Sequence, residues 1–341
     1  MEQIDRSQLL SLGVMERINH PENPLHMQVI EGIIGAPGTG KTGAARILEH
    51  SMNLGQIAGS LGLQRELHIA FARKSTSRAG RGADDRFKIA GVPEEDFTEQ
   101  NYLGIYTLAN NGAKYAYQPS EFDHGADLIV AEPSLHHIES VKAHLGPRLT
   151  TVLLVGDRNY RATRMNERGT EDPRQIQQRL VEGDAQVFVA DKLTGGIQSL
   201  DGTRLDAGRL IDDGLHDKFL ELYLAHSQGQ GLDGARLSFY DFLCRHVGGE
   251  MGFNDPDVRK YAAGASREYD QMISHAATAV AQHDTINHIV ALDESYVVLD
   301  EQPGQFRYVT EGRFRDELID ITLSVMYSRI QALNKDLDAS C

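Results

Sequence analysis

At 341 residues, with 40% apolar and 24% charged residues, the chain has the size for two domains and the composition of an ordinary globular protein. A formal charge of −15 argues against a general nucleic-acid binder, because a phosphate backbone needs a basic partner surface. Cys244 and Cys341 give neither a disulfide framework nor metal-ligand spacing, no apolar run reaches membrane-spanning length, and Met1 to Asn19 lacks the apolar centre of a signal peptide. A cytoplasmic protein without membrane partners is expected.

Residues 1–26 read as an N-terminal extension. Leu9 to Ile18 is amphipathic, and Pro21 and Pro24 end it, so it is expected to pack on the core, with a partner-binding helix as the alternative. Val29, Ile30, Ile33 and Ile34 then form an apolar, β-branched run of strand length. Gly35-Ala36-Pro37-Gly38-Thr39-Gly40-Lys41-Thr42 follows directly and fits G-x-x-x-x-G-K-[ST], and Ala44, Ala45, Ile47 and Leu48 have helical spacing. Such a stretch also occurs as an ordinary glycine-rich turn, but a strand before it and a helix after it favour phosphate binding. Glycines let backbone N–H groups wrap an anion, and the helix N-terminus adds its positive end. Lys41 has the reach for the β and γ phosphates of a nucleoside triphosphate, and the Thr42 hydroxyl can complete a Mg²⁺ shell.

Leu67 to Ala72 alternates like a second strand and leads into a loop carrying Arg78 and Arg81. Two guanidinium forks three residues apart suit a second phosphate group, and the segment fits a solvated basic loop equally well. Asp127 to Glu132 is a strand ending in a carboxylate, Pro133 to Leu145 a helix, and Thr150 to Val155 a strand ending at Gly156-Asp157. Either Glu132 or Asp157 could hold Mg²⁺, and Asp157 could equally cap the next helix. From Arg158 to Leu180 the pattern is helix, Gly169-Thr170 turn, Asp172-Pro173 break, helix. Arg164 and Arg168 share one face, and Arg179 returns about three turns later. Arginines on a mobile hairpin are what phosphoryl transfer uses, although a salt-bridged surface hairpin would have the same composition.

Taken together, the glycine loop, S-T-S-R-x-x-R, a tyrosine at 115, a strand ending in an acid and R-x-x-x-R-G-T-E…R-L resemble guanylate kinase over residues 28 to 210. The resemblance implies a P-loop α/β fold with a three-layer parallel sheet and a helical lid, in which Val187 to Asp191 is the last strand. It implies that Lys41, Arg164, Arg168 and Arg179 act on ATP and the transferring phosphoryl group. Arg78, Arg81 and Tyr115 would hold the acceptor's phosphate, with Tyr117 in the acceptor pocket and Glu132 where the family has an acid contacting guanine. Several positions depart from that pattern. Phe87 is the nearest aromatic to the tyrosine expected after the second arginine, Gly104 to Asn111 holds no carboxylate, Tyr117 replaces a small hydroxyl residue, and Lys74 stands for a serine. Altered groups in a polar pocket imply altered acceptor selectivity.

Beyond residue 212 the resemblance ends. His216 to Ser227, Gly234 to Val247, Asp255 to His283 and Arg313 to Leu337 have helical periodicity, and Ile289 to Asp300 and Gln305 to Thr310 read as strands joined at Pro303-Gly304. The expected organisation is therefore 1–26 extension, 27–212 P-loop domain and 213–341 a mostly helical domain, the last a candidate surface for a second copy or a protein partner. The expected activity is Mg²⁺-dependent transfer from ATP to the phosphate of a nucleoside monophosphate. A kinase of a phosphorylated sugar or modified nucleotide, and a non-catalytic scaffold using the acceptor groove for a protein, are the alternatives.

Overall fold

The computed structural model describes residues 13–22, 24–53, 55–80, 87–108, 112–135, 138–169, 171–198, 204–278, 286–292, 300–302, 305–306 and 313–339. Its centre is β1 (Val29–Gly35), every residue of which is buried. β1 lies between β7 (Leu128–Ala131) and β8 (Leu149–Gly156), with β2 (Ile69–Phe71) outside β7, and all these pairs are parallel. Side chains alternate between the two faces. Ile30, Ile34, Ile129 and Leu153 enter one core, and Val29, Ile33, Val130 and Leu154 enter the other. The fold is thus α/β, with a five-stranded parallel sheet covered on both faces.

One face carries α1 (Gly13–Ile18), α2 (Lys41–Asn53) and α3 (Gln56–Leu61). The other carries α4 (Ile138–Leu145), which begins five residues later than Pro133, and α6 (Pro173–Thr194). Between β2 and β7 the chain builds a second sheet of β3 (Lys74–Thr76), β4 (Lys88–Ala90), β5 (Leu103–Thr107) and β6 (Lys114–Tyr117), in the order β4-β3-β6-β5. The expected helical hairpin is present. α5 (Arg158–Arg168) ends at Gly169, whose φ of 59° is left-handed, and α6 opens on a capping box between Asp172 and Gln175.

Two expectations are corrected. Val187 to Asp191 is not a strand but lies inside α6. It continues the buried positions Ile176, Leu180, Val181 and Ala185, and Val187, Phe188, Val189 and Ala190 are all buried too. A helix enclosed on every side is apolar all round, and over four residues that pattern is the same as a buried strand's. After α6 come the antiparallel pair β9 (Ile197–Gln198) and β10 (Arg204–Leu205) and the helical turn α7 (Ala207–Leu210), and the remaining strand of the central sheet is β11 (His288–Leu292), which pairs in parallel with β8 far along the chain. The second correction follows from it. Residues 288–292 and 313–338 do not stand apart with the C-terminal helices, because β11 joins the central sheet and α11 (Arg313–Asp338) packs Phe314, Leu318, Ile321, Met326 and Ile330 into the core beside α2. The helices that do form a separate layer are α8 (Asp213–Gln228), α9 (Leu232–Gly248) and α10 (Pro256–Thr278), stacked behind α6. Of the expected strand from Ile289 to Asp300, residues 289–292 lie in β11 and 293–299 are outside the described residues; of that from Gln305 to Thr310, β13 (Gln305–Phe306) is described, paired with β12 (Asp300–Gln302), and the expected Pro303-Gly304 turn lies outside the described residues.

Glu31 is a buried carboxyl on β1, facing α11. The Thr322 hydroxyl bonds to one of its oxygens at 2.8 Å, while the other oxygen has no hydrogen-bond partner among the described residues. Burial pushes its pKa up to about 7 from an ordinary 4.5, against a smaller opposing effect of Thr322. The folded state therefore holds a proton that the unfolded chain has released between these two values. Stability should be full below about pH 4.5 and fall as pH rises to about 7, by roughly 2–3 kcal/mol. Glu31→Gln should remove that slope and make the protein more stable than the parent at pH 8. Denaturant midpoints at pH 5 and pH 8 check this, and equal slopes in parent and variant would contradict it.

Candidate active site

The glycine loop lies at the carboxyl end of β1. The chain runs from β1 outward to β2 and back to β7, then crosses β1 to β8 and goes on to β11, so the connections after β1 and β8 leave toward opposite edges and the loop stands at a switch point, where open α/β sheets bind ligands. Two glycines are dictated by geometry. Gly38 has φ 86°, and a Cβ there would stand 2.8 Å from the Arg161 carbonyl oxygen; at Gly35 a Cβ would meet Thr39 Oγ1 at 2.6 Å and the Leu154 carbonyl at 2.8 Å. Thr39 Oγ1 closes the loop on the Ala36 carbonyl at 2.8 Å. Lys41, the first residue of α2, donates from Nζ to the carbonyls of Gly35 at 2.7 Å and Ala36 at 3.2 Å.

Thr42 Oγ1 donates to Glu132 Oε1 at 2.9 Å across 90 residues of sequence. Glu132 follows the last residue of β7, so strand pairing carries it to the loop. Asp157 does something else: it caps α5 by accepting from the Tyr160 N–H at 2.7 Å. The carboxylate beside the loop's hydroxyl is therefore Glu132. Among the described residues no group of three or more His, Cys, Asp or Glu side chains is arranged to hold a metal. The hard oxygens of Thr42 and Glu132 fit a Mg²⁺ ion only if phosphate oxygens and water supply the remaining ligands.

Around the loop is a cleft of about 240 Å³. Pro37, Gly38, Gly40, Lys41 and Thr42 form its floor, and Lys74, Arg78 and Lys88 reach it from the second sheet. Arg168 and Arg179 enter from the helical hairpin, and Tyr115 and Glu132 also line the cleft. Six cations thus face three carboxylates, Glu132, Glu171 and Glu182, in a chain of net charge −15. The cleft is locally cationic, which suits polyanionic ligands. Burial pushes Lys41 down to about 8 and Lys74 down to about 7, each partly opposed by Glu132. Holding both ammonium groups charged there would be favoured by an added anion.

No family model and no curated protein matches this chain. The site must be read from its own residues.

Two expected residues fall elsewhere, and a third is outside the described residues. Arg164 does not line the cleft and pairs with Glu167 at 3.0 Å one turn on. Tyr117 is buried beneath the cleft, where its Oη accepts the Glu132 N–H at 3.0 Å. Arg81 lies outside the described residues. Several lining residues went unassigned in the sequence analysis. Lys88 comes to the cleft because β4 pairs with β3, Glu182 is one turn after Arg179 on α6, and Glu171, from the quoted R-G-T-E stretch, pairs with Arg179. The spacing of Arg179 and Glu182 was a usable signal; the pairing of β3 with β4 had none.

The hub beneath the site was also unassigned. Arg161 and Asp184 are both 0% exposed and pair with each other, and Arg158 binds the second oxygen of Asp184. Arg161 further donates to the carbonyls of Gly156 at 3.1 Å, Leu180 at 3.4 Å and Leu210 at 3.3 Å. One guanidinium therefore ties the end of β8, α6 and the segment before α8 together. Its own backbone is the surface against which Gly38 rests. Burial pushes the Asp184 carboxyl up, and the two arginines pull it back.

Proposed function

We propose that this protein is a P-loop kinase of guanylate-kinase type, transferring the γ-phosphoryl group of ATP to the phosphate of a nucleoside monophosphate. The observation that carries this reading is the convergence of three separate chain segments on one cleft. These are the glycine loop with Lys41 and Thr42, the second sheet with Arg78, and the hairpin with Arg168 and Arg179. A switch that only hydrolysed nucleotide would not require a second phosphate position opposite the loop.

In this mechanism the loop N–H groups and Lys41 hold the ATP β and γ phosphates. Arg78 and Tyr115 hold the acceptor phosphate in line. An acceptor phosphate oxygen attacks the γ phosphorus, a new P–O bond forms, and the bond to the β–γ bridging oxygen breaks, with its electron pair leaving on ADP. The attacking phosphate is already anionic, so no general base is needed. Mg²⁺, held with the nucleotide by Thr42 and Glu132, would supply charge neutralisation at the phosphates. Arg168 and Arg179 would neutralise the transferring group as the hairpin closes, and positioning would supply most of the catalysis.

The acceptor pocket argues against strict guanine selection. The Glu132 carboxylate is bonded to Thr42, and the Tyr117 hydroxyl is used by the Glu132 backbone. GMP is expected to be a poor acceptor, or at least not the only good one. The deciding experiment is an ADP-release assay across purine and pyrimidine monophosphates and phosphorylated ribose. ATP binding without turnover on any acceptor would overturn the kinase reading and favour a scaffold.

Two substitutions separate the substrates. Arg78→Ala should weaken acceptor binding by about 1.5–3 kcal/mol, the worth of a charge-assisted contact, and leave ATP affinity nearly unchanged. Arg168→Ala should instead lower kcat with little change in either KM. Equal loss of ATP and acceptor affinity in Arg78→Ala would refute the two-substrate geometry.

A further inference from the structure

A second, larger cavity of about 1050 Å³ adjoins the cleft, and Tyr106, Leu108 and Gln178 line both. Its walls are β5, α4, α6 and α10, so a helix from the region without recognisable chemistry encloses one side. The imidazole of His275 on α10 lies 2.6 Å from the Glu139 carboxylate on α4, bridging the two walls. The floor is aliphatic, formed by Leu135, Ile138, Val189, Leu193 and Met272. Gln178 and Gln271 present amides, and the rim balances Asp257 and Glu268 against Lys260 and Arg267. The phosphate cleft is cationic; this cavity is close to neutral. Its volume is at the upper end of the roughly 300–1,000 Å³ typical of small-molecule sites.

The inner direction from the acceptor position is closed. Lys74 Nζ lies 5.6 Å from the centre of the Tyr117 ring and 5.8 Å from that of Tyr106, and it donates to Tyr106 Oη at 3.3 Å. Tyr117 is itself buried against Phe122. A molecule whose phosphate rests on Arg78 cannot extend its body inward through this packed group. The second cavity lies on another side, sharing Tyr106, Leu108 and Gln178 with the cleft.

We infer that the acceptor is a phosphate monoester whose uncharged body, the size of a nucleoside or larger, occupies this second cavity. The inference rests on the kinase reading above and names the class of its acceptor. The aliphatic floor takes a flat or apolar face of that body, and the two glutamine amides and the rim take its hydroxyl and N–H groups. A bare sugar phosphate fills the phosphate position but leaves the cavity and its floor uncovered, and so loses most of the apolar contact.

The test uses the full chain and two variants on the cavity-facing side of α10, Gly264→Phe and Gln271→Trp. Both positions are only partly buried or exposed, and thermal unfolding reports whether each variant is folded. Acceptors are GMP, AMP, CMP, UMP and ribose 5-phosphate, with ADP release as the readout. The parent should use at least one nucleotide about tenfold or more better than ribose 5-phosphate, and each variant should lose about tenfold or more in kcat/KM for that nucleotide, mainly through KM. Equal use of ribose 5-phosphate and the nucleotides by the parent would overturn the inference and leave the kinase reading standing. So would a folded pair of variants with unaltered nucleotide kcat/KM. A parent that binds ATP but phosphorylates none of the five would overturn the kinase reading and the inference with it.

Discussion

Lys41→Ala is expected to abolish phosphoryl transfer while leaving the protein folded. Its ammonium lies against the loop carbonyls of Gly35 and Ala36, at the start of α2, within the loop that the proposed function assigns to the ATP phosphates. The other cations of the cleft come from different segments, so none stands in its position against the loop carbonyls. A preorganised donor lost from a developing charge costs on the order of 10²–10³-fold in rate, and Lys41 carries a full charge besides. The fold should survive because the aliphatic part of Lys41 contributes little to either core, which are built from Ala44, Ala45, Ile47 and Leu48 at that end of α2. The measurement is ADP release at saturating ATP, with circular dichroism as the check on folding. Undiminished turnover in a folded variant would remove the catalytic reading of the loop.

Asp184→Ala is expected to be the most destabilising single change near the site. It would leave Arg161 buried at 0% exposure with its charge unpaired, and it would strip Arg158 of the same partner. Breaking a buried pair in this way costs about 3–5 kcal/mol. The remaining carbonyl contacts from Gly156, Leu180 and Leu210 are too few to compensate a bare guanidinium. The effect should extend to function, because the backbone of Arg161 is what Gly38 packs against. The double variant Asp184→Leu with Arg161→Met removes both buried charges and should recover much of the stability. It should not recover full ATP affinity, since the ties from α5 to β8 and α6 are gone. Denaturant unfolding and ATP titration of both variants check the pair. A single variant within about 1 kcal/mol of the parent would show that this hub is solvated rather than buried.

How much of this was legible in the sequence depended on the distance over which each feature is encoded. The glycine loop, Lys41 and Thr42 are eight consecutive residues whose spacing alone specifies the turn, the bare backbone and the helix start. The hairpin was equally local, since Gly169 supplies a left-handed φ and Asp172 with Gln175 caps the next helix within four residues. β1, β7 and β8 were readable because buried parallel strands are short continuous apolar runs. The same rule misled at Val187 to Ala190, where a helix buried on every side gives an identical local pattern, and only its position between the sheet and α8 to α10 decides the matter.

Tertiary structure alone decided the rest, because pairing between distant strands leaves no periodic trace in either partner. The return of β11 to the edge of β8 links residues more than 130 positions apart and takes the end of the chain back into the central sheet. The Thr42–Glu132 bond depends on β7 lying beside β1, and the Arg161–Asp184 pair on α5 folding back over α6. Lys88 faces the cleft only because β4 pairs with β3, and the second cavity exists only because α10 closes over β5 and α4. Residue type and short spacing determined a glycine-rich turn between a buried strand and a helix, with Lys41 and Thr42 at the helix start. Which carboxylate stands beside it, and what space lies open to a second molecule, were set by contacts that only the folded chain makes.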